Sequence, residues 1–132
     1  MFQKIELHTN KNSEFIDITT QIQKKISQSE ISDGVCVVFV PHTTAGITIN
    51  ENADPDVVKD ILMMLDQKIP ASDSVYRHSE GNSAAHIKAT LIGSSVSVII
   101  ENRKLQLGTW QGIYFCEFDG PRKREIWVKV VG

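Results

Sequence analysis

Two short polar segments hold three of the four histidines of this 132-residue chain. The segment 76–88 contains His78, Glu80 and His86, separated mainly by glycine, serine and alanine, which allow the backbone to bend until polar groups meet. The other segment starts at His42, directly after an apolar run. Imidazole is the commonest metal ligand and an effective acid–base group near neutral pH. We therefore expect one composite site that draws on both segments.

A metal centre is the first chemistry that these histidines suggest. Three histidines that leave one coordination position open would fit catalytic zinc or a similar transition metal. His78 and His86 are eight positions apart, which matches neither a zinc finger nor the metalloprotease helix pair, so the spacing alone is a weak signal. The alternative is that each histidine makes only local hydrogen bonds. His8, in an alternating segment, is expected to be an exposed strand residue.

Carboxylates and amides near the histidines are candidate catalytic and binding groups. Glu80 could be a metal ligand, a partner that fixes a histidine tautomer, or a general base. Glu51 lies between Asn50 and Asn52, and these three could act in the same way. The alternative is turn and helix-capping work, which the helix dipole already explains for Asp56.

Two further segments could hold a ligand. Thr109, Trp110 and Gln111 lie between two glycines, and an aromatic ring with nearby amides could form a platform for a heteroaromatic ligand. The alternative is a bulge with a packed tryptophan. Arg122 begins a basic turn that could hold an anion, because guanidinium matches phosphate bidentately, although such turns are often only solvated.

Composition excludes several classes of protein. A formal net charge of −2 argues against a general nucleic-acid or membrane footprint. No apolar run reaches the 18 residues of a transmembrane helix, and the first residues carry no apolar signal core, so we expect a cytoplasmic protein. Cys36 and Cys116 lie in apolar surroundings and are expected to be buried, reduced thiols.

Hydrophobic patterning predicts a single α+β domain over residues 1–132, with a mostly antiparallel sheet and two to three helices. Residues 2–9 alternate as a half-buried strand does, and residues 34–40 form a continuous apolar run typical of a central strand. Asp54 followed by a proline is a strong helix start, and residues 83–92 can form a short helix. The segments 96–100, 112–118 and 124–131 are predicted to form an antiparallel meander.

Taken together, these polar runs resemble the YjbQ family. The resemblance covers roughly residues 35–132 and implies an α+β domain that assembles as a homotrimer around a histidine-containing polar pocket. The family label is secondary thiamine-phosphate synthase, an activity that joins a pyrimidine pyrophosphate to a thiazole phosphate and releases pyrophosphate. The resemblance rests on His42-Thr43-Thr44-Ala45, the run 49–57, His78 with Glu80-Gly81-Asn82, Ala85-His86-Ile87-Lys88, Leu107-Gly108-Thr109-Trp110-Gln111 and Glu117-Phe118-Asp119-Gly120-Pro121-Arg122.

The resulting hypothesis is a small metal-associated transferase of the thiamine-phosphate synthase type. Its divalent metal would be zinc-like, as histidines favour, or Mg²⁺, as pyrophosphate departure favours. The alternatives are a metal-dependent hydrolase of a phosphorylated metabolite, in which Glu80 activates a metal-bound water, and a non-catalytic metabolite-binding trimer. In each case the partner is a small phosphorylated or heteroaromatic metabolite. The predicted site comprises catalytic Glu80 and Glu51, metal-binding His42, His78 and His86, and substrate-binding Asn50, Asn52, Asn82, Lys88, Thr109, Trp110, Gln111 and Arg122.

Overall fold

The computed structural model describes residues 2–132, which form three helices and eight strands. The helices are α1 (Thr19–Ser27), α2 (Pro55–Lys68) and α3 (Ser83–Ile92). The strands are β1 (Phe2–His8), β2 (Glu14–Asp17), β3 (Gly34–Phe39), β4 (Ala45–Glu51), β5 (Ser95–Glu101), β6 (Lys104–Leu105), β7 (Gln111–Glu117) and β8 (Lys123–Val131). None of the helices within these residues is long and apolar enough to cross a membrane.

The strands form two antiparallel sheets. One sheet has the order β1-β8-β3-β5-β6, and the other has the order β2-β7-β4. The prediction of an α+β fold with a mostly antiparallel sheet and two to three helices is therefore confirmed, although the strands divide into two sheets. Helix α2 begins as the sequence indicates, because the Asp54 side chain accepts a hydrogen bond from the Asp56 amide, 2.9 Å away.

The predicted meander of the last three long strands is wrong. Strand β7 pairs with β2 and β4 in the smaller sheet, whereas β5 and β8 pair with β3 in the larger one. The physical reason is burial: from residue 112 onward, every residue of β7 is buried, so this strand needs cover on both faces. A half-solvated meander strand would alternate instead.

The main core lies between the two sheets and is closed by α1. Ile18, Ile22 and Ile26 recur every four residues, which brings them to one helical face, and all three are fully buried. They pack with apolar side chains from both sheets, including Val38 of β3 and Phe115 of β7.

Helix α3 packs on the opposite face of the smaller sheet. Ala85 and Ala89 contact the β7 side, where Tyr114 and Cys116 form a second apolar cluster. The helix is capped by Gly93, whose carbonyl accepts a hydrogen bond of 3.0 Å from the Ile47 amide of β4. The small alanines allow this close packing, which holds the polar side of α3 next to the end of β3.

We expect Ile22→Ala to lower the free energy of unfolding by about 2–5 kcal/mol, because it leaves a cavity in the main core. Urea denaturation with an unchanged m-value would measure this effect. Met63→Ala on the exposed side of α2 is the control and should cost much less. Equal losses in the two variants would contradict the assignment of α1 to the core.

Candidate functional site

A polar cavity of about 440 Å³ lies where the end of β3, the loop before α3, α3 itself and the turn between β7 and β8 meet. All three predicted metal-binding histidines lie on its wall. The other polar residues of the wall are Thr43, Thr44, Glu80, Asn82, Asp119, Arg122 and Arg124. These side chains come from both polar segments of the sequence and from the basic turn.

His42 is fixed by a backbone hydrogen bond. Its Nε2 accepts from the Glu125 amide at 2.9 Å, so this nitrogen is unprotonated and the proton of the neutral ring sits on Nδ1. Burial, followed by the positive charge of Arg124, lowers the pKa of His42 below its ordinary value. His42 therefore contributes a donor to the cavity, and its Nε2 is not available to a metal.

His78 and His86 form a close pair. Their rings are perpendicular, with centroids 5.2 Å apart. His86 projects from α3, whereas His78 belongs to the preceding loop. The Oε2 atom of Glu80 lies 3.9 Å from Nε2 of His78, which is too far for a hydrogen bond, and the Glu80 side chain is mostly exposed. Two imidazoles on two separate elements thus face one small volume.

Arg124 on the cavity wall forms a buried ion pair with Glu117, and the two residues are 3% and 0% exposed. Arg124 Nε donates to Glu117 Oε1 at 2.8 Å, and a second Arg124 nitrogen donates to the other carboxylate oxygen. Arg124 also donates to Oγ1 of Thr44 at 2.9 Å, and the Thr9 hydroxyl donates to Glu117 Oε1 at 2.8 Å. Both carboxylate oxygens of Glu117 and the Nε and Nη2 atoms of Arg124 are therefore hydrogen-bonded inside the protein.

These contacts decide the protonation state of Glu117. Burial by itself would raise the pKa of this carboxyl group. The hydrogen bonds from Arg124, from the Asp119 amide and from Thr9 outweigh burial and hold the pKa of Glu117 below its ordinary value. The ionised pair is thus the stable form at neutral pH.

Arg122 is held at the cavity by a second acidic residue, Asp119. Its Nε donates to the Asp119 carbonyl at 2.8 Å, and its Nη2 donates to Asp119 Oδ2 at 3.1 Å. Asn82 Nδ2 donates to the same Oδ2 at 2.9 Å, which joins the start of α3 to the turn after β7. Asp119 was not among the predicted site residues, although it lies three positions before the predicted Arg122.

Glu117 and Arg124 were also missed as parts of the site. One signal was available for Glu117, because it is the one charged residue within the otherwise apolar and aromatic run 112–118. Such a charge inside a buried strand needs a buried partner. Which arginine or lysine provides it depends on the pairing of the two sheets and cannot be read from local sequence.

A single chain brings only part of the predicted set together. Glu51 lies at the far end of β4, and since a strand rises about 3.3 Å per residue, this end is about 20 Å from Ala45 beside the cavity. Glu51 is paired across the sheet with Gln111, and the Asn52 amide bonds the Trp110 carbonyl at 2.9 Å. The residues of this distant group are Asn50, Glu51, Asn52, Thr109, Trp110 and Gln111, and their roles in catalysis or binding stay predictions.

Lys88 has a structural setting that the sequence did not indicate. Its side chain is buried, donates to Asp66 of α2 and lies over the ring of Phe118 with Nζ 6.0 Å from the ring centroid. It lines a separate cavity of about 100 Å³ behind Asn82. Lys88 thus links α3 to α2, and its predicted contact with substrate is untested.

The three histidines do not form a recognisable metal cluster, and their predicted roles as ligands of a divalent metal stay predictions. Within residues 2–132, no three or more histidine, cysteine, aspartate or glutamate side chains are grouped so that they could hold a metal ion. His42 has already given its Nε2 to a backbone amide, which leaves only the pair of His78 and His86. The prediction of a metal-dependent activity, whether transferase or hydrolase, is therefore wrong.

Comparisons with known proteins agree on one family. The family described as "UPF0047 protein YjbQ-like" matches residues 3–132. The chain is 51% identical to UPF0047 protein YugU of Bacillus subtilis over all of both chains, and 54% identical to UPF0047 protein MJ1081 of Methanocaldococcus jannaschii over all of this chain and 95% of that one. These relatives carry family names without an activity.

Solved structures lead to the same result. A YjbQ/UPF0047 family protein from Clostridium acetobutylicum superposes with a TM-score of 0.95 at 60% identity, over 98% of this chain and 99% of that one. A protein of Sulfolobus solfataricus, described as YbjQ-like and of unknown function, gives 0.95 at 36% identity over 100% and 96% of the chains. The predicted thiamine-phosphate synthase function is therefore wrong, since these relatives are described only as uncharacterised proteins.

The buried ion pair predicts a specific dependence of stability on pH. Because the pKa of Glu117 is lowered from an ordinary 4.5, its stabilising contribution is complete above about pH 4.5 and is lost as pH falls through the lower folded value. Glu117→Gln should lower the free energy of unfolding at pH 7 by about 3–5 kcal/mol and flatten its decline in acid. Urea titrations at several pH values would measure both effects.

Two matched variants test the cause of this dependence. Glu101→Gln removes an exposed carboxylate of β5 and should leave the acid decline unchanged. Glu117→Leu combined with Arg124→Met removes both charges and should recover much of the stability lost by Glu117→Gln. An acid decline that is equally steep in wild type and Glu117→Gln would contradict the assignment.

Proposed function

The chain belongs to the UPF0047 family of YjbQ-like proteins, and we propose that it is a metal-independent enzyme that moves protons on a small anionic metabolite. The observation that carries the proposal is the pair of His78 and His86, 5.2 Å apart on the wall of a polar cavity that also contains Arg122. The cavity has the size of a site for a small ligand.

The preference for an anion is supported by the donors that line the cavity. Arg122 uses its Nε and Nη2 for Asp119, and no residue within 2–132 engages its Nη1. The Nδ1–H of His42 and the hydroxyl hydrogens of Thr43 and Thr44 likewise have no acceptor among the described residues. A phosphate or carboxylate group would accept from these donors, and guanidinium matches both groups geometrically.

Two carboxylates on the cavity wall, Asp119 and Glu80, would repel a bound anion, but each does so to a limited and different extent. Asp119 already accepts hydrogen bonds from Asn82 and Arg122, which satisfies its negative charge. Glu80 is exposed to solvent, which weakens its effect on a ligand in the cavity. The 3.9 Å between Glu80 Oε2 and His78 Nε2 is compatible with a carboxylate that orients the His78 ring, because contacts of this kind often shorten when substrate binds.

The histidine pair supplies the proposed chemistry. One imidazole would remove a proton from the substrate while the other returns one, and a positioned acid or base contributes about 10² to 10⁴ in rate. Two rings on separate elements can approach one bound molecule from different directions. This role needs no metal and uses only groups that already face the cavity.

We also propose a homotrimer, which is supported by an exposed apolar surface on the larger sheet. Phe2, Phe39 and Trp127 lie side by side there, with the rings of Phe2 and of Phe39 each 5.8 Å from that of Trp127. Ile99 and Val131 are also more than half exposed on this sheet. Clusters of exposed apolar residues of this kind mark sites of association.

We further propose a cytoplasmic location, which is supported by the state of the two cysteines. Cys36 and Cys116 are both unpaired and buried, and they belong to different core clusters. Burial raises the pKa of the Cys36 thiol to about 11 and also raises the pKa of Cys116, so both remain protonated core residues. Thiols of this kind are the usual form of cysteine in a reducing compartment.

Substitutions at the histidine pair test the proposed activity. A panel of small phosphorylated and carboxylated metabolites would be incubated with the protein in D₂O and a chelator, and NMR would follow product formation and deuterium uptake. His78→Gln or His86→Gln should lower turnover at least about 100-fold, because each removes one acid–base group. Arg122→Gln should weaken binding of inorganic phosphate about tenfold or more, because a charge-assisted contact is lost.

The control for these variants is His8→Gln, which changes an exposed histidine on β1 and should leave both measurements unchanged. Turnover that disappears with the chelator and returns with a divalent metal would contradict the metal-independent mechanism. Phosphate binding that is equal in wild type and Arg122→Gln would contradict the proposed anion site.

The proposed trimer predicts a particle of three chain masses by light scattering at micromolar concentration. Phe39→Glu should dissociate it, because a charge would be buried in the apolar contact. Met63→Glu places the same charge on an exposed methionine of α2 and should leave the assembly intact. A monomeric wild-type protein would rule out the assembly.

A further inference from the structure

The histidine pair separates two cavities of opposite character. On one side is the polar cavity with Arg122. On the other side is an open cleft of about 400 Å³ that shares both His78 and His86 with the polar cavity. Its surface is mainly apolar and is formed by Val75, Tyr76 and Ile87, with Arg77 and Ser83 also on its wall. A ligand that reaches the pair can therefore extend in two chemically different directions.

The apolar side chains that line this cleft are exposed to solvent and do not bury one another. Val75 is 74% exposed and Ile87 is 39% exposed, although both are aliphatic. Ile87 follows His86 directly on α3, so the apolar surface of the cleft lies next to the pair of histidines. Exposed apolar residues beside a polar pocket are typical of the wall of a ligand site.

The opposite wall is held in place by local hydrogen bonds. The Val75 amide donates to Asp73 Oδ1 at 3.0 Å, and the Tyr76 amide donates to the Asp73 carbonyl at 3.1 Å. The Tyr76 hydroxyl donates to the Pro70 carbonyl at 2.7 Å. The loop is thus arranged to present Val75 and Tyr76 as a preformed surface.

From this arrangement we propose that the ligand has two parts, an anionic group held in the polar cavity and a compact apolar group held in the cleft. The bond that joins the two parts lies beside His78 and His86. The inference rests on the proposed function and narrows it to organic phosphates or carboxylates that carry a short alkyl chain or a single ring. The occupant of the cleft is part of the same molecule, because both cavities share the two imidazoles.

Binding of a graded set of phosphates tests the proposal. Inorganic phosphate, methyl phosphate, propyl phosphate and phenyl phosphate would be titrated by calorimetry in the presence of a chelator. Burial of a methylene group contributes up to about fourfold in affinity, so propyl phosphate should bind roughly tenfold more tightly than methyl phosphate. Phenyl phosphate should also bind more tightly than methyl phosphate.

Two variants locate the gain in the cleft. Ile87→Gln and Val75→Thr keep the size of the side chain and make it polar, so each should reduce the advantage of propyl over methyl phosphate to about twofold or less. Both variants should lower the affinity for methyl phosphate much less than the affinity for propyl phosphate. Leu91→Gln is the matched control, because Leu91 lies one turn further along α3, is 66% exposed and does not line the cleft.

The possible results distinguish this inference from the proposed function. If inorganic phosphate binds but methyl, propyl and phenyl phosphate bind equally, the two-part ligand is overturned and the anion site stands. If Ile87→Gln and Val75→Thr keep the full gain, or Leu91→Gln loses it, the placement in the cleft is overturned. If no phosphate binds at all, the proposed anion site fails and this inference fails with it.

Discussion

The buried ion pair between Glu117 and Arg124 is the interaction on which the rest of the structure depends. Glu117 ends β7 in the smaller sheet, and Arg124 lies in β8 of the larger sheet, so the pair links the two sheets where the chain crosses between them. Two buried charges cost several kcal/mol of desolvation unless all of their hydrogen-bonding atoms are satisfied. Thr9 donates to Glu117 and Thr44 accepts from Arg124, which brings the end of β1 and the segment after β3 to the same point.

The polar cavity follows from the same requirement. Thr44 is held by Arg124, and His42 is held by the amide of Glu125, the next residue along β8. The Asp119 amide donates to Glu117 at 2.9 Å, which sets the turn that aims Arg122 at the cavity. The ion pair therefore neutralises its own charge while it orders the groups around it. The hydrogen-bond donors of the cavity that have no acceptor belong to residues that the ion pair positions.

The three histidines of the site have two different settings, and these settings decide what chemistry each can perform. His42 has one nitrogen fixed by the backbone, whereas His78 and His86 face each other across the cavity wall. Three histidines in one cavity are commonly taken as a metal site, but a nitrogen that accepts a backbone hydrogen bond cannot also bind a metal. The remaining pair suits acid–base work, and its place between a polar cavity and an apolar cleft favours a ligand with one anionic and one apolar end.

Local sequence determined the helices and the individual strands, because the spacing of apolar residues and the Asp54 cap act over a few neighbouring residues. It also marked His42, His78, Glu80, His86 and Arg122, since clustered polar side chains are visible without a fold. Only the tertiary structure decided that β7 leaves the expected meander, that Asn50 to Asn52 lie a strand's length from the histidines, and that Glu117, Asp119 and Arg124 support the cavity. The physical reason is distance along the chain. Thr9 and Glu117 are 108 residues apart, and Thr44 and Arg124 are 80 residues apart. Such pairs come into contact only when the strands have paired into the two sheets.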